Sequence, residues 1–339
     1  MARIALDAMG GDYAPRATVA GALYALRELD PTHSVQLVGR ADVIERELDA
    51  VPENGIELAQ HAAERARLEV IDAPDVVEMT DRPTAVLKLP NSSMYAGIRL
   101  QREGRSDAFV SAGNTGAQMA ASYAILKLHG DLKRPAIGTI FPTARQPVVV
   151  LDSGANVDCS AEELVNFARL GSVYAEDILG RTNPSIGLLS IGEEAEKGNG
   201  VVKEANQLLR ESGLNFQGNV EGRDIPRGES DRGPIDVVVC DGFVGNVLLK
   251  FYEAIAPVLI TMVAAGAGVD PEKLQDAFKH LDYSNYGGAP LLGVRGVSII
   301  SHGKSSPRAI KNAIQVALRA VESRMDEHIG RRLGETAAV

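Results

Sequence analysis

Short apolar runs rich in Val, Ile and Leu recur along nearly the whole chain, at 3–7, 35–38, 68–72, 108–111, 148–152, 186–190, 237–240 and 297–301. They are close to continuously apolar rather than alternating, which is the pattern of strands covered on both faces. Between them lie 17–29, 92–103, 115–128, 160–177, 198–211, 244–265, 271–281 and 307–327, with apolar positions three and four apart as in helices. Such alternation predicts an α/β fold with a mostly parallel sheet wound through right-handed crossovers. No internal repeat or low-complexity linker interrupts it, and 223–233, polar and rich in Gly, reads as a loop. The 339 residues suffice for one elaborate domain or two closely joined lobes, and 1–339 is taken as a single α/β domain.

In an open α/β sheet, ligands gather where the chain leaves the carboxyl ends of strands. The segments there are Asp7-Ala-Met-Gly-Gly-Asp12, Ser111-Ala-Gly-Asn-Thr-Gly116, Asp152-Ser-Gly-Ala-Asn156, Ser190-Ile-Gly-Glu-Glu194, Asp241-Gly-Phe-Val-Gly-Asn246 and Ser301-His-Gly303. All six are rich in Gly, Ser, Asn or Asp. Glycine lets the backbone approach a ligand, and successive N–H groups at a helix start make an anion nest. If all six lie at one end of one sheet, they describe a polar site for a phosphate-sized anion. Ser111, Gly113, Asn114, Thr115 and Gly116 are the strongest group, because a bare helix cap by Asn114 or Thr115 does not require two flanking glycines.

Composition narrows the chemistry further. Trp is absent and aromatic residues are 4%, so the core is aliphatic. A net charge of −10 without any Lys/Arg run argues against nucleic acid as a partner. Two cysteines, Cys159 and Cys240, make neither a disulfide framework nor a cysteine metal site, and a reducing cytoplasm is expected. The apolar run 255–269 is too short and too rich in Gly and Ala to span a bilayer, and reads as a core or interfacial helix. Familiar catalytic signatures fail. Gly303-Lys-Ser305 lacks the first glycine of a P-loop, since residue 298 is Ser298. Gly-x-Gly-x-x-Gly, Gly-x-Ser-x-Gly, His-x4-Asp and metal-ligand spacings are all missing. No metal and no organic cofactor is expected.

The chain nevertheless resembles a known family. Ile4-Ala-Leu-Asp-Ala-Met-Gly-Gly-Asp-Tyr-Ala-Pro15, Ser111-Ala-Gly-Asn-Thr-Gly-Ala117 and Asp152-Ser-Gly-Ala-Asn156 are similar to motifs of the phosphate acyltransferases of glycerolipid synthesis, the PlsX family. So are Ile191-Gly-Glu-Glu-Ala-Glu-Lys-Gly-Asn199, Asp241-Gly-Phe-Val-Gly-Asn-Val-Leu-Leu-Lys250 and Tyr283-Ser-Asn-Tyr-Gly-Gly-Ala-Pro-Leu-Leu-Gly293, in family order. The resemblance implies a three-layer α/β/α fold like that of isopropylmalate dehydrogenases and phosphotransacetylases, assembled as a homodimer. It implies transfer of a fatty acyl group from acyl-acyl carrier protein to inorganic phosphate, giving acyl phosphate for phospholipid synthesis. It also implies peripheral attachment to the cytoplasmic membrane face, near the downstream glycerol-3-phosphate acyltransferase. The matching membrane- and dimer-associated region is 246–283. Its charges are Lys250, Lys273 and Lys279 against Glu253, Asp270, Glu272, Asp276 and Asp282. Attraction to anionic lipid is therefore weak there, and membrane contact would be apolar.

Elementary chemistry agrees with that reaction. Phosphate is already anionic near neutral pH, and a thiol leaving group with a pKa of about 8.5 departs with little acid assistance. The protein has to hold phosphate against the thioester and stabilise the oxyanion. The resemblance places functional residues at Lys197 and Asn246, one binding phosphate or the oxyanion and the other donating to the thioester carbonyl. Binding candidates are Gly10, Gly11, Asp12, Ser111, Gly113, Asn114, Thr115, Gly116, Asn156, Asn199, Gly245 and His302. Asp7 and Asp152 are expected to brace loops. Arg308, Lys311 and Arg319 fall within an arc of about 80° on the last long helix and form a candidate docking stripe for the acidic carrier protein. No Asp or Glu interrupts that helix from Arg308 to Val321. Two rival readings are a phosphotransacetylase-like enzyme of short acyl-CoA and a non-catalytic lipid-synthesis scaffold.

Overall fold

The apolar runs are strands, but they sort into two sheets rather than one. The structure, a computed structural model, describes residues 1–50, 62–267 and 287–334. The chain divides into two compact units: Met1–His129 with Gly287–Glu327, and Gly130–Tyr286 with His328–Val339.

In the first unit the strands run in the order Leu68–Asp72, Ser34–Gly39, Arg3–Asp7, Ala108–Ser111, Ser298–Ile300 and Ala289–Leu292. Neighbours are parallel except the last pair. Ala108–Ser111 is buried at every position, as a strand covered on both faces must be. The helix Arg16–Glu28 packs along Pro307–Glu322, and Ser93–Arg102 along Thr115–Leu126. Each fully buried Leu, Ile or Phe, such as Leu6, Ile98 or Phe109, contributes roughly 1.5–3 kcal/mol.

In the second unit the order is Thr139–Phe141, Val148–Leu151, Val237–Val239, Ile186–Leu189 and Phe216–Val220, with only the first pair antiparallel. The helix Ala161–Leu179 covers this sheet. Ser160 and Glu163 cap its start reciprocally, and Gly180 ends it in the left-handed conformation. With helices on both sides of mostly parallel sheets, the α/β class holds.

Some elements differ from the sequence expectation. Phe216–Val220 is a strand despite Gln217 and Asn219, because it sits at the edge of the sheet. The segment read as a loop contains the short antiparallel pair Glu229–Ser230 and Gly233–Pro234. The last helix stops at Glu322; Arg324 takes a left-handed φ of 54°, and a new helix runs over Met325–Arg332. Gly242–Ala267 is one helix of 26 residues. It starts well before the apolar run, is long and apolar enough by length and composition to cross a bilayer, and is mostly unburied rather than a core helix. The helix expected at 271–281 lies outside the described residues, as does part of 246–283.

Candidate active site

The six polar loops are not gathered at one sheet; three belong to each. In the first unit Arg3–Asp7, Ala108–Ser111 and Ser298–Ile300 are adjacent and parallel, with Ala108–Ser111 in the middle. In the second, Val148–Leu151, Val237–Val239 and Ile186–Leu189 are adjacent and parallel, with Val237–Val239 in the middle. Each trio of loops therefore leaves one sheet edge together. The sequence pattern could not assign strands to sheets, because periodicity records burial and not pairing partners.

In the first unit the loop side chains mainly hold one another. Asp7 is buried, and its carboxylate accepts from the Ser111 hydroxyl (2.7 Å) and the Met9 N–H (3.1 Å). Burial pushes its pKa above the ordinary carboxylate value, against bonds from Ser93 and Ser111 that favour the charge. Ser111 Oγ also accepts from Gly113 N–H at 3.0 Å. A Cβ on Gly10 would press on Asp7 Oδ2, Gly113 N and Ser111 Oγ at 2.7–2.9 Å, so only glycine closes this corner. Gly11 lies beside Gly303 and Ala112. Exposed Asp12 donates its backbone N–H to Gly303 O at 2.7 Å.

Asn114 is the N-cap of Thr115–Leu126. Its Oδ1 accepts from Ala117 N–H at 3.0 Å, and its Nδ2 donates to the carbonyls of Glu78, Met79 and Asp81 at 2.9–3.3 Å. Both of its amide hydrogens are taken, so its side chain has no donor left for an anion. What the loop offers is backbone: the N–H groups of Thr115 and Gly116, in the helix's first turn, have no partner among the described residues. His302 is exposed, and its Nδ1 accepts from Lys304 N–H at 3.1 Å, a turn bond of the kind expected of a histidine in such a loop.

The second unit is organised differently. Asp152 is fully buried and accepts from the N–H groups of Ile137, Gly154, Ala155 and Asn156, and from Asn156 Nδ2, at 2.6–3.1 Å. Burial raises its pKa while these donors oppose the rise. Asn156 Nδ2 also donates to Pro135 O at 2.8 Å, so both of its amide hydrogens are engaged in holding the loop. Asn199 caps Gly200–Glu211 by accepting from Val202 N–H at 2.9 Å. A Cβ on Gly245 would overlap the Asp152 carbonyl oxygen, which fixes a glycine where the helix Gly242–Ala267 docks on the loop. Four expected ligand residues thus have structural positions: Asn114, Asn156 and Asn199 through their side chains, and Gly245 through its lack of one.

Lys197 and Asn246 stand apart from this pattern. Asn246 does not cap its helix, because Asp241 does: its Oδ1 accepts from Val244 N–H at 2.8 Å. The exposed amide of Asn246 lies one turn further in, its Cβ and Oδ1 against Gly154, and has no hydrogen-bond partner among the described residues. Lys197 lies in the turn before Gly200–Glu211, and its ammonium forms no ion pair among the described residues. Of the three nearby glutamates, Glu193 is bonded to Arg223 at 3.3 Å, while Glu194 and Glu196 are exposed. Among the described residues each unit also leaves one buried serine hydroxyl without a partner at a strand end, Ser301 in the first and Ser190 in the second. Both are legible as polar strand-end residues, but sequence alone does not show that their hydroxyls are unsatisfied.

The remaining candidates are quickly placed. Burial, followed by Asp152, pushes the Cys159 thiol up to about 12, and burial takes Cys240 well above its ordinary value. Neither is a thiolate nucleophile. No group of three His, Cys, Asp or Glu is placed to hold a metal among the described residues. On Pro307–Glu322, Lys311 is ion-paired with Glu28 at 2.8 Å, and Gln315 bonds the same carboxylate at 2.7 Å. The stripe of Arg308, Lys311 and Arg319 is thus interrupted by an acid from Arg16–Glu28, which the helix's own sequence does not reveal.

The family model for fatty acid synthesis proteins matches residues 2–328. The phosphate acyltransferase of Heliobacterium modesticaldum is 46% identical, covering 96% of this chain and 97% of its own length. The phosphate acyltransferase of Aquifex aeolicus is 44% identical over 94% and 92% of the two chains. This chain belongs to the phosphate acyltransferase family. It is an acyltransferase, and phosphate is its acyl acceptor. Solved structures bear on the fold. A phosphotransacetylase from Streptococcus pyogenes superposes with a TM-score of 0.64 at 16% identity, over 95% of this chain and 94% of its own. A branched-chain phosphotransacylase from Enterococcus faecalis does so at 0.56 and 14% identity, over 95% and 100%.

Proposed function

We propose that the chain transfers a fatty acyl group from acyl-acyl carrier protein to inorganic phosphate, producing acyl phosphate for phosphatidic acid and phospholipid synthesis. The observation that carries the site assignment is the contrast at the second unit's strand ends. Most loop side chains there are bound to the protein itself, while the Lys197 ammonium and the Asn246 amide are left open.

In the proposed reaction a phosphate oxygen attacks the thioester carbonyl carbon and forms a C–O bond. The carbonyl electrons move onto oxygen, then return as the C–S bond breaks and the pair leaves on sulfur as thiolate. No base is needed for an acceptor that is already an anion. Lys197 holds the phosphate or the developing oxyanion, and Asn246 donates to the carbonyl oxygen, where donors gain most as charge accumulates. The open N–H groups of Thr115 and Gly116 add anion-binding capacity in the first unit.

The proposal includes a homodimer that works at the cytoplasmic membrane face. Exposed Phe243, Val247, Phe251, Leu259 and Met262 on Gly242–Ala267 support an apolar contact of this kind. Lys250, a cation available to lipid headgroups, is instead bound to Glu253 at 2.8 Å.

The test is to mix the purified protein with palmitoyl-acyl carrier protein and phosphate and trap acyl phosphate with hydroxylamine. Phosphate-dependent trapping is expected. Activity confined to short acyl-CoA would point to a phosphotransacetylase-like enzyme, and no turnover with either donor would point to a scaffold.

A further inference from the structure

Lys197 is carried by a turn whose backbone is anchored from beneath. The Glu194 carbonyl accepts the Lys197 N–H at 3.0 Å and, on its other lone pair, Asn219 Nδ2 at 2.7 Å. Asn219 Oδ1 accepts from Asn206 Nδ2 at 2.8 Å, and Asn206 Oδ1 accepts from Arg210 Nε at 2.9 Å. Asn219 and Asn206 are 1% and 2% exposed, so the two amides form a buried relay between the strand Phe216–Val220 and the helix Gly200–Glu211.

The polarity of the relay is fixed at both ends. A carbonyl can only accept and a guanidinium can only donate, so each amide has one allowed orientation. A buried chain of this type, in which each amide both donates and accepts, is costly to break and holds its members in one geometry. The lysine's stem is also guided: its Cγ lies 2.9 Å from where a Cβ on Gly192 would stand, so it crosses bare backbone. Neither asparagine lies in a strand-end loop, so no sequence pattern singles them out.

We propose that Asn219, backed by Asn206, is a positioning residue that holds the Glu194 carbonyl and thereby sets Lys197 for acyl transfer. This rests on the reading of Lys197 as the phosphate- or oxyanion-binding cation. The isosteric variant Asn219→Asp isolates the effect. It keeps the acceptor facing Asn206 but turns an acceptor toward the Glu194 carbonyl.

At pH 7.5, Asn219→Asp should lower kcat/KM for phosphate by about ten- to a hundredfold, the scale of a misplaced reacting group. Relative to wild type the loss should shrink as pH falls, because the introduced carboxyl, once protonated, donates to the carbonyl again. Asn219→Leu should show no such recovery. In a Lys197→Ala background, Asn219→Asp should cost little more, because the residue it positions is already gone.

Wild-type kcat/KM in Asn219→Asp, or an undiminished loss on top of Lys197→Ala, would overturn the proposal. A Lys197→Ala variant with wild-type activity would instead sink the reading of Lys197. If Asn219→Asp does not fold, Asn206→Asp carries the same test: it keeps the Arg210 bond and removes the donor to Asn219.

Discussion

Asp7 and Asp152 occupy matching places in the two units. Each is a buried carboxylate at the carboxyl end of a parallel strand trio, each has a raised pKa because of burial, and each ties down the glycine-rich loop that follows. They differ in where their donors come from. Asp7 draws on the hydroxyls of Ser93 and Ser111, side chains from elsewhere in its unit, together with the Met9 N–H of its own loop. Asp152 draws mostly on the backbone of its own loop, with one amide from Asn156. In the first unit, then, polar side chains build the loops and leave backbone N–H groups for an anion. In the second, backbone does much of the bracing, and two long polar side chains remain open. The same loop composition has been put to two uses, and only the hydrogen-bond partners distinguish them.

The largest effect that would break this comparison lies in the second unit. Lys197→Ala and Asn246→Ala are each expected to lose at least about a hundredfold in turnover, the usual cost of one charge-stabilising donor. Thermal unfolding should barely move, since neither side chain holds structure. Near-wild-type turnover in either would remove that residue from the site.

Next is the opposite case in the first unit. Asn114→Ala removes a helix cap and three loop ties, and should cost about 1–3 kcal/mol of stability in urea unfolding. A stability loss well under that range together with a large loss of phosphate affinity would return Asn114 to the ligand.

Asp7→Asn tests the electrostatic half of the comparison. Because the folded pKa of Asp7 lies above its unfolded value near 3.9, the native state binds this proton more tightly. The stabilising effect of protonation therefore appears as pH falls through the folded value and is complete below the unfolded one. Wild-type stability minus that of Asp7→Asn should rise on acidification from pH 7 to 4, with a slope of at most about 1.4 kcal/mol per pH unit. A difference that stays flat across that range would mean burial does not disfavour the Asp7 charge.

The smallest effect concerns the carrier-protein stripe. Reversing Arg308, Lys311 and Arg319 to Glu should raise KM for acyl-carrier protein several-fold and leave KM for phosphate alone. Because Glu28 already neutralises Lys311, Glu28→Gln should lower the carrier-protein KM slightly. Equal losses with carrier-protein and acyl-CoA donors would place the damage in the active site or the fold.

What the sequence makes legible follows from what each signal measures. Arg3–Asp7 and Ala108–Ser111 match the apolar runs to the residue, since burial on both faces writes itself into composition, and Leu68–Asp72 matches too although it is a half-buried edge strand. Ala41–Asp49 is hard to see because it buries only Ile44 and Leu48 beneath a charged exterior. Phe216–Val220 is hidden because an edge strand tolerates Gln217 and Asn219, and with it goes the relay under Lys197. Asn114 can be read as a cap or a ligand from its neighbours, but its three carbonyl partners lie more than thirty residues earlier. A local pattern cannot carry such a pairing.

The helix Gly242–Ala267 joins two ends of the proposed activity on one stiff rod. Asn246 sits in its first turns, and Met262, on its exposed apolar side, follows 16 positions later, about 24 Å along the axis at 1.5 Å per residue. Anything that grips the apolar side therefore also sets the height and tilt of the Asn246 amide. Seating the rod differently would then be felt as a change in turnover, although nothing had touched the thioester directly.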